Sequence, residues 1–168
     1  MKRNLVLAFV LGASLIPDIA AAQPDATAKA EIQALEDQFA QAFNAKDVDG
    51  VMKVYAPGPD LFVFDVAPPR QYVGWDAYRK DWQDFLGAFK GPIKVTISDL
   101  DIFADENMAY SHSVQHLAGT DMKDKPIEFV VRVTDVYRKL KGAWLIVHEH
   151  VSVPVNFETN KPDIMSTP

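Results

Sequence analysis

Residues 126–154 read Pro-Ile-Glu-Phe-Val-Val-Arg-Val-Thr-Asp-Val-Tyr-Arg-Lys-Leu-Lys-Gly-Ala-Trp-Leu-Ile-Val-His-Glu-His-Val-Ser-Val-Pro. Two long runs rich in β-branched and aromatic residues, Ile127–Lys139 and Ala143–Val153, flank the tight Lys141-Gly142 connection. That pattern predicts a β-hairpin. Working back toward the N-terminus, Met108–Ala118 and Ile93–Phe103 form two more such runs. The turn Asp105-Glu106-Asn107 separates them, and the loop Gly119–Pro126 leads into the third run. Sequential strands with short turns pair as an antiparallel meander.

The front half is helical. Ala28, Ile32, Leu35, Phe39 and Ala42 recur at spacings of four and three, which is one face of a helix, with Glu31, Gln33, Glu36, Asp37 and Gln38 filling the polar positions. Asp47 is placed to cap a short second helix carrying Val48, Val51, Met52 and Tyr55, which Pro57-Gly58-Pro59 stops. Leu61–Val66 reads as a strand ended by Pro68-Pro69. Gly74 opens a third helix with Tyr78, Trp82, Phe85, Leu86 and Phe89 at helical spacing, and Gly91-Pro92 ends it. Three helices with one sheet to cover predict an α+β domain, the helices on one face.

The chain has 168 residues, enough for one domain with a sizeable core. Hydrophobic residues make up 48% and charged residues 24%, a globular composition. The formal net charge of −6 repels phosphate backbones and anionic lipid, so neither nucleic acid nor a membrane surface is an expected partner. With no cysteine, disulfides, thiolate catalysis and thiolate metal sites are excluded. Lys2-Arg3, the apolar run Leu5–Ile16, Pro17 and the triplet Ala20-Ala21-Ala22 predict a signal peptide over residues 1–22, cleaved before Gln23. The processed protein is then exported, periplasmic or secreted, and its charge moves from −6 to −7 as Lys2, Arg3 and Asp18 leave. Residues 23–27 are expected to be a linker, 28–154 the domain and 155–168 a polar surface tail.

Arg132-Val133-Thr134-Asp135-Val136-Tyr137-Arg138-Lys139, followed by Gly142, Trp144 and His148-Glu149-His150-Val151-Ser152-Val153-Pro154, resembles the SnoaL-like and ketosteroid-isomerase-like branch of the nuclear transport factor 2-like superfamily. The Thr, aromatic, Gly, Trp and His-x-His-x-Ser ending is also similar to the association domain of calcium/calmodulin-dependent kinases. Phe43-Asn44-Ala45-Lys46-Asp47-Val48-Asp49-Gly50 resembles the joint between that superfamily's first two helices, and Gly74 before a helix agrees. The resemblance covers residues 28–154 and implies a cone-shaped, curved antiparallel sheet around an internal pocket. It does not fix a function, because isomerases, dehydratases, hydrolases and oligomerising modules share the fold.

Ketosteroid isomerases use a carboxylate base and an oxyanion hole made of a tyrosine and a protonated aspartic acid. The resemblance places Asp65 at the base. It puts Phe39 where the first-helix tyrosine stands, removing one donor. The other donor falls on Asp135 or on its neighbours Thr134 and Val133. This departure argues against true steroid isomerisation.

Strand alternation divides the last hairpin into two faces. Val131, Val133, Asp135 and Tyr137 go with Val147, Glu149, Val151 and Val153. Arg132, Thr134 and Arg138 go with Trp144, Ile146, His148, His150 and Ser152. The first, mostly apolar face is expected under the helices, which makes Asp135 and Glu149 candidate acid/base groups on an apolar wall. The second is expected to meet a subunit partner in a C₂ homodimer, or to line the pocket if the faces are exchanged. His112 falls on an inward position by resemblance and is a further catalytic candidate. Phe39, Tyr72, Trp82 and His116 are candidate pocket residues.

Each has a plainer alternative. Asp65 could end a strand by capping a turn, Glu149 could pair with a neighbouring cation, and the three tryptophans could be core or interface aromatics. His148 and His150, with His112 and His116 on the neighbouring strand, lack a third ligand at fixed spacing, so no metal and no cofactor are expected. Two functions follow. One is a ligand-binding or oligomerising module for a small, largely apolar molecule of unidentified structure. The other is an enzyme of proton transfer or water addition/elimination, with Asp65 as base and His112, Asp135 or Glu149 as partner.

Overall fold

The computed structural model describes residues 26–166. The expected signal peptide lies outside the described residues, and so does most of the expected linker. Helix α1 (Ala26–Asn44) already begins within the linker segment. Its buried face is Ala28, Ile32, Leu35, Phe39, Ala42 and Phe43 as the periodicity requires, but it also includes Glu36, expected among the polar positions. Glu36 follows Ile32 by four residues and precedes Phe39 by three, so helical geometry puts it on the apolar face whatever its charge.

Asp47 caps α2 (Val48–Met52) by accepting a hydrogen bond from the Gly50 N–H at 2.9 Å. Gly50 has no room for a side chain. A Cβ there would lie 2.8 Å from the Cβ of Ala42, so glycine lets α2 turn tightly against α1.

Strand β1 (Phe62–Phe64) follows, then the short β2 (Tyr72–Val73) and helix α3 (Trp75–Gly87). The meander is β3 (Lys94–Ala104), β4 (Met108–Thr120), β5 (Pro126–Leu140) and β6 (Ala143–Ser152), close to the expected boundaries. The curved six-stranded sheet has the order β2-β1-β6-β5-β4-β3. β1 lies parallel to β6, Val63 opposite Glu149, so the sheet is not wholly antiparallel. The tail adds a small hairpin, β7 (Val155–Asn156) with β8 (Lys161–Pro162). Beyond it the Ile164 carbonyl accepts from the Val130 N–H at 2.7 Å, on a stretch of β5 past the reach of β6.

Two bulges shape the sheet. One interrupts β3 between Ser98 and Asp101. The other decides the faces of the last hairpin. Val136 pairs with His148 but Tyr137 pairs with Ile146, leaving Val147 as an extra residue in β6. The bulge reverses the parity of β6, so Trp144 (5% exposed) and Ile146 (2%) point into the core on the same face as Glu149. The expectation that Trp144 and Ile146 belong to the outer face is therefore corrected.

Candidate functional site

The helices leave a cavity of about 180 Å³ between α1, α3 and the inner face of β4–β6. Its walls are aromatic where helices supply them, with Phe39 and Phe43 from α1 and Tyr78, Trp82 and Phe85 from α3. Trp82 is the hub of this cluster, its ring centroid 5.7–5.8 Å from those of Phe39, Phe43, Tyr78 and Phe85. The sheet supplies Leu117, Phe129, Val131, Val133 and Val151. The polar lining is Asp65, Asp81, Gln115 and Glu149. Exposed Val66 and Ala67, with half-buried Asp65 and Asp81, mark the mouth, and Glu149 lies deep, 5% exposed.

Register places Ser111, Asp135 and Glu149 in one row across β4, β5 and β6 on the inner face. Tyr55 donates to Oε2 of Glu149 at 2.8 Å, and Tyr78 donates to Oε1. At the other end of the row Tyr137 donates to Oε1 of Glu36 at 2.7 Å, while its hydroxyl and that of Ser111 lie 2.7 Å apart. Asp135, 2% exposed, stands between the two glutamates, and its Oδ1 has no partner. Sequence reading identified Asp135 and Glu149 but missed Glu36 and the hydroxyls of Tyr55, Tyr78 and Tyr137. The helical register of Glu36 was the available signal. The tyrosines read as ordinary apolar-face residues, because only the tertiary fold aims them at carboxylates.

Burial drives the electrostatics. It pushes Glu149 up to about 7, against the two tyrosine hydroxyls that favour the charged form. It pushes Glu36 to about 7 as well, against the Tyr137 bond. Asp135 is raised well above the usual carboxylate range by burial, then by the charges of Glu149 and Glu36, and by a hydrogen bond shared with Glu149, all of which favour its protonated form. The same burial, with the Glu149 charge, lifts Tyr55 and Tyr78. They therefore keep their protons and donate them to Glu149. At the mouth, Asp65 accepts from the Ala67 N–H at 3.0 Å, the turn-capping contact of the plainer reading. Burial still raises its pKa above the ordinary value, against that bond. Asp81 is raised by burial, against the bond it accepts from Tyr72 at 2.5 Å.

The other candidates distribute as follows. Phe39 and Trp82 line the cavity, and Tyr72 is half-buried on Asp81 rather than on the cavity wall. His112 and His116 do not line it, which corrects both placements. In β4 the residues Ser111, Ser113, Gln115 and Leu117 point inward, so alternation sends His112 and His116 to the outer face. There His112 lies 3.9 Å from Asp101, and His116 is 2.7 Å from Glu128. Arg132, Thr134 and His150 are exposed on the outer face, and His148 is half-buried there with Nδ1 2.8 Å from the Phe62 carbonyl. Among the described residues, no three His, Cys, Asp or Glu side chains are grouped to hold a metal ion.

The SnoaL-like domain family profile matches residues 32–156. No curated protein matches the sequence. Among solved structures, an NTF2-like protein of unknown function from Pseudomonas putida KT2440 is similar at 29% identity, with a TM-score of 0.76 over 84% of this chain and 97% of the other. A candidate calcium/calmodulin-dependent protein kinase II association domain from Xanthomonas campestris is 25% identical, with a TM-score of 0.63 over 73% of this chain and 84% of its own. A candidate scytalone dehydratase from Novosphingobium aromaticivorans DSM 12444 shares the fold at 18% identity, TM-score 0.68, over 77% of this chain and 85% of its own. With three quarters of its length inside the family profile and the family's curved sheet and three helices in place, the chain belongs to the SnoaL-like domain family of the NTF2-like superfamily.

Proposed function

We propose that this domain binds a small, largely apolar molecule in the cavity between α1, α3 and the sheet, with Glu149 as the deep polar contact. The observation that carries this reading is the combination of an aromatic and aliphatic wall with one buried carboxyl at depth, the ordinary composition of a small-molecule site. A volume of about 180 Å³ suits one substituted ring, since a cavity of roughly 150 Å³ holds benzene. The test is a screen of ring-sized compounds by tryptophan fluorescence, repeated on Val151→Phe, which fills the cavity. Saturable binding by the wild type and not by a folded Val151→Phe protein supports the reading; equal binding by both removes it.

A catalytic role is the second reading. It is favoured by Asp65 and Glu149 lining one cavity, with Glu149 near 7, where a carboxyl can both give and take a proton at neutral pH. In it Asp65 is the general base and Glu149 the partner of a proton transfer or a water addition/elimination. Loss of turnover in Asp65→Asn with ligand binding retained supports that role, and unchanged turnover removes Asp65 from it.

The exported location and the homodimer are part of the same proposal. The outer sheet face carries exposed Phe103, Met108 and Tyr110 beside Thr134. The rings of Phe103 and Tyr110 stack at 4.8 Å, and apolar surface of this kind favours cover by a second copy. Sedimentation at micromolar concentration is expected to give a dimer that Tyr110→Lys dissociates; a wild-type monomer contradicts it.

A further inference from the structure

The charge inventory of the cavity is one-sided. Asp65, Asp81 and Glu149 line it, and no lining residue is Lys, Arg or His. The ion pairs among the described residues involve Asp49, Asp84, Asp101, Asp124, Glu31 and Glu128; none reaches Asp65, Asp81 or Glu149. The cation acting on this set is Lys80, near Asp81, and its ammonium is bonded to Asp84 at 2.5 Å. Behind Glu149, Asp135 and Glu36 add two more acids without a basic partner.

A second, independent feature concerns the wall itself. The Trp82 side chain is on the cavity lining and the residue is 9% exposed, yet its indole N–H has no acceptor. The same indole is the centre of a cluster of rings, and aromatic faces attract cations most strongly where water is excluded.

Resting on the reading that the cavity binds a small molecule, we propose that its ligand is an organic cation: a protonated amine on a ring-sized apolar body whose charge sits among the acids and against the Trp82 face. The acids supply the counter-charge, and the rings supply the apolar wall. An anion of the same shape meets three carboxyls and no cation. A neutral molecule of that shape leaves the acids without a counter-charge.

Three probes of one shape separate the possibilities. Each carries a phenyl ring and a benzylic hydroxyl: 2-amino-1-phenylethanol is a cation at pH 7, 1-phenylethane-1,2-diol is neutral, and mandelate is an anion. Calorimetric titration of the purified protein is expected to give the amine about tenfold or more tighter binding than the diol, with mandelate weakest. In Asp65→Asn the amine's advantage is expected to shrink severalfold while diol binding holds. Trp82→Phe is expected to weaken the amine more than the diol, since the indole face attracts a cation more strongly than a phenyl face does. Diol binding as tight as that of the amine, or tighter mandelate binding, overturns the cation inference and leaves the small-molecule reading standing. Saturable binding of none of the three overturns both. Amine preference unchanged in Asp65→Asn and again in Asp81→Asn overturns the assignment of the carboxyls as its source.

Discussion

Replacing Glu36 with Gln tests the buried acid row without touching the cavity lining. Glu36 is 3% exposed, and burial lifts it from 4.5 to about 7, with Asp37 adding to the rise and the Tyr137 hydroxyl opposing it. Between those pH values the folded protein holds a proton that the unfolded chain has released. Stability therefore falls as pH rises through that window. At roughly 1.4 kcal/mol per unit, the shift corresponds to about 3 kcal/mol lost by pH 8. Gln carries no charge to desolvate and can still accept from Tyr137, though a neutral acceptor weakens that bond by about 1 kcal/mol. Glu36→Gln is thus expected to be about 2 kcal/mol more stable than wild type at pH 8 and within about 1 kcal/mol of it at pH 5, where Glu36 is already a neutral acceptor. The pH 8 difference corresponds to a melting point higher by about 4–8 °C for a chain of this size. Urea and thermal melts at pH 5, 6, 7 and 8 read both ends. A wild type whose stability is flat or rises over that range refutes the reasoning, and so does a Glu36→Gln protein less stable at both ends.

Further expectations follow from single contacts. Tyr55→Phe removes the hydroxyl donated to Glu149 and is expected to cost about 1–3 kcal/mol in urea melts at neutral pH, with the Glu149 pKa rising further. Trp144→Ala is expected to cost about 3–5 kcal/mol, as befits a core residue whose indole N–H also bonds Glu31 at 2.9 Å; a cost below about 1 kcal/mol contradicts the reversed parity of β6. Asp65→Leu removes a half-buried acid but also the Ala67 contact, so its cost at neutral pH is expected to stay within about 1 kcal/mol; a larger loss makes the turn contact its main role. N-terminal sequencing of the exported protein is expected to start at Gln23, and an intact Met1 there contradicts the signal-peptide reading.

The elements that could be read directly were those whose signal is local. The four long strands and three helices announce themselves by periodicity and by Gly, Pro and Asp punctuation, and the quoted joint Asp47–Gly50 folds by its own side-chain cap. The parallel pairing of β1 with β6 joins segments far apart in sequence, and no local pattern encodes it. The bulge at Val147 lies inside an unbroken β-rich run with no glycine or proline to mark it, yet it moved Trp144 and Ile146 from the surface to the core. Of the site, Asp65, Phe39, Trp82, Asp135 and Glu149 were legible because an acid or a ring on an apolar face is conspicuous. The resemblance gives His112 an inward position, and β4 alternation denies it to His112 and to the pocket candidate His116 alike. Glu36 reads as solvent-facing by its charge, although its helical position puts it on the buried face.

The central claim is that the cavity holds a small molecule. It is tested most directly by mass spectrometry of what is released on denaturing protein purified from the cells that make it, wild type beside Val151→Phe. The account predicts one ring-sized compound in stoichiometric amount from the wild type and its loss from a folded Val151→Phe protein; release of nothing from the wild type, or of the same compound from both, contradicts it.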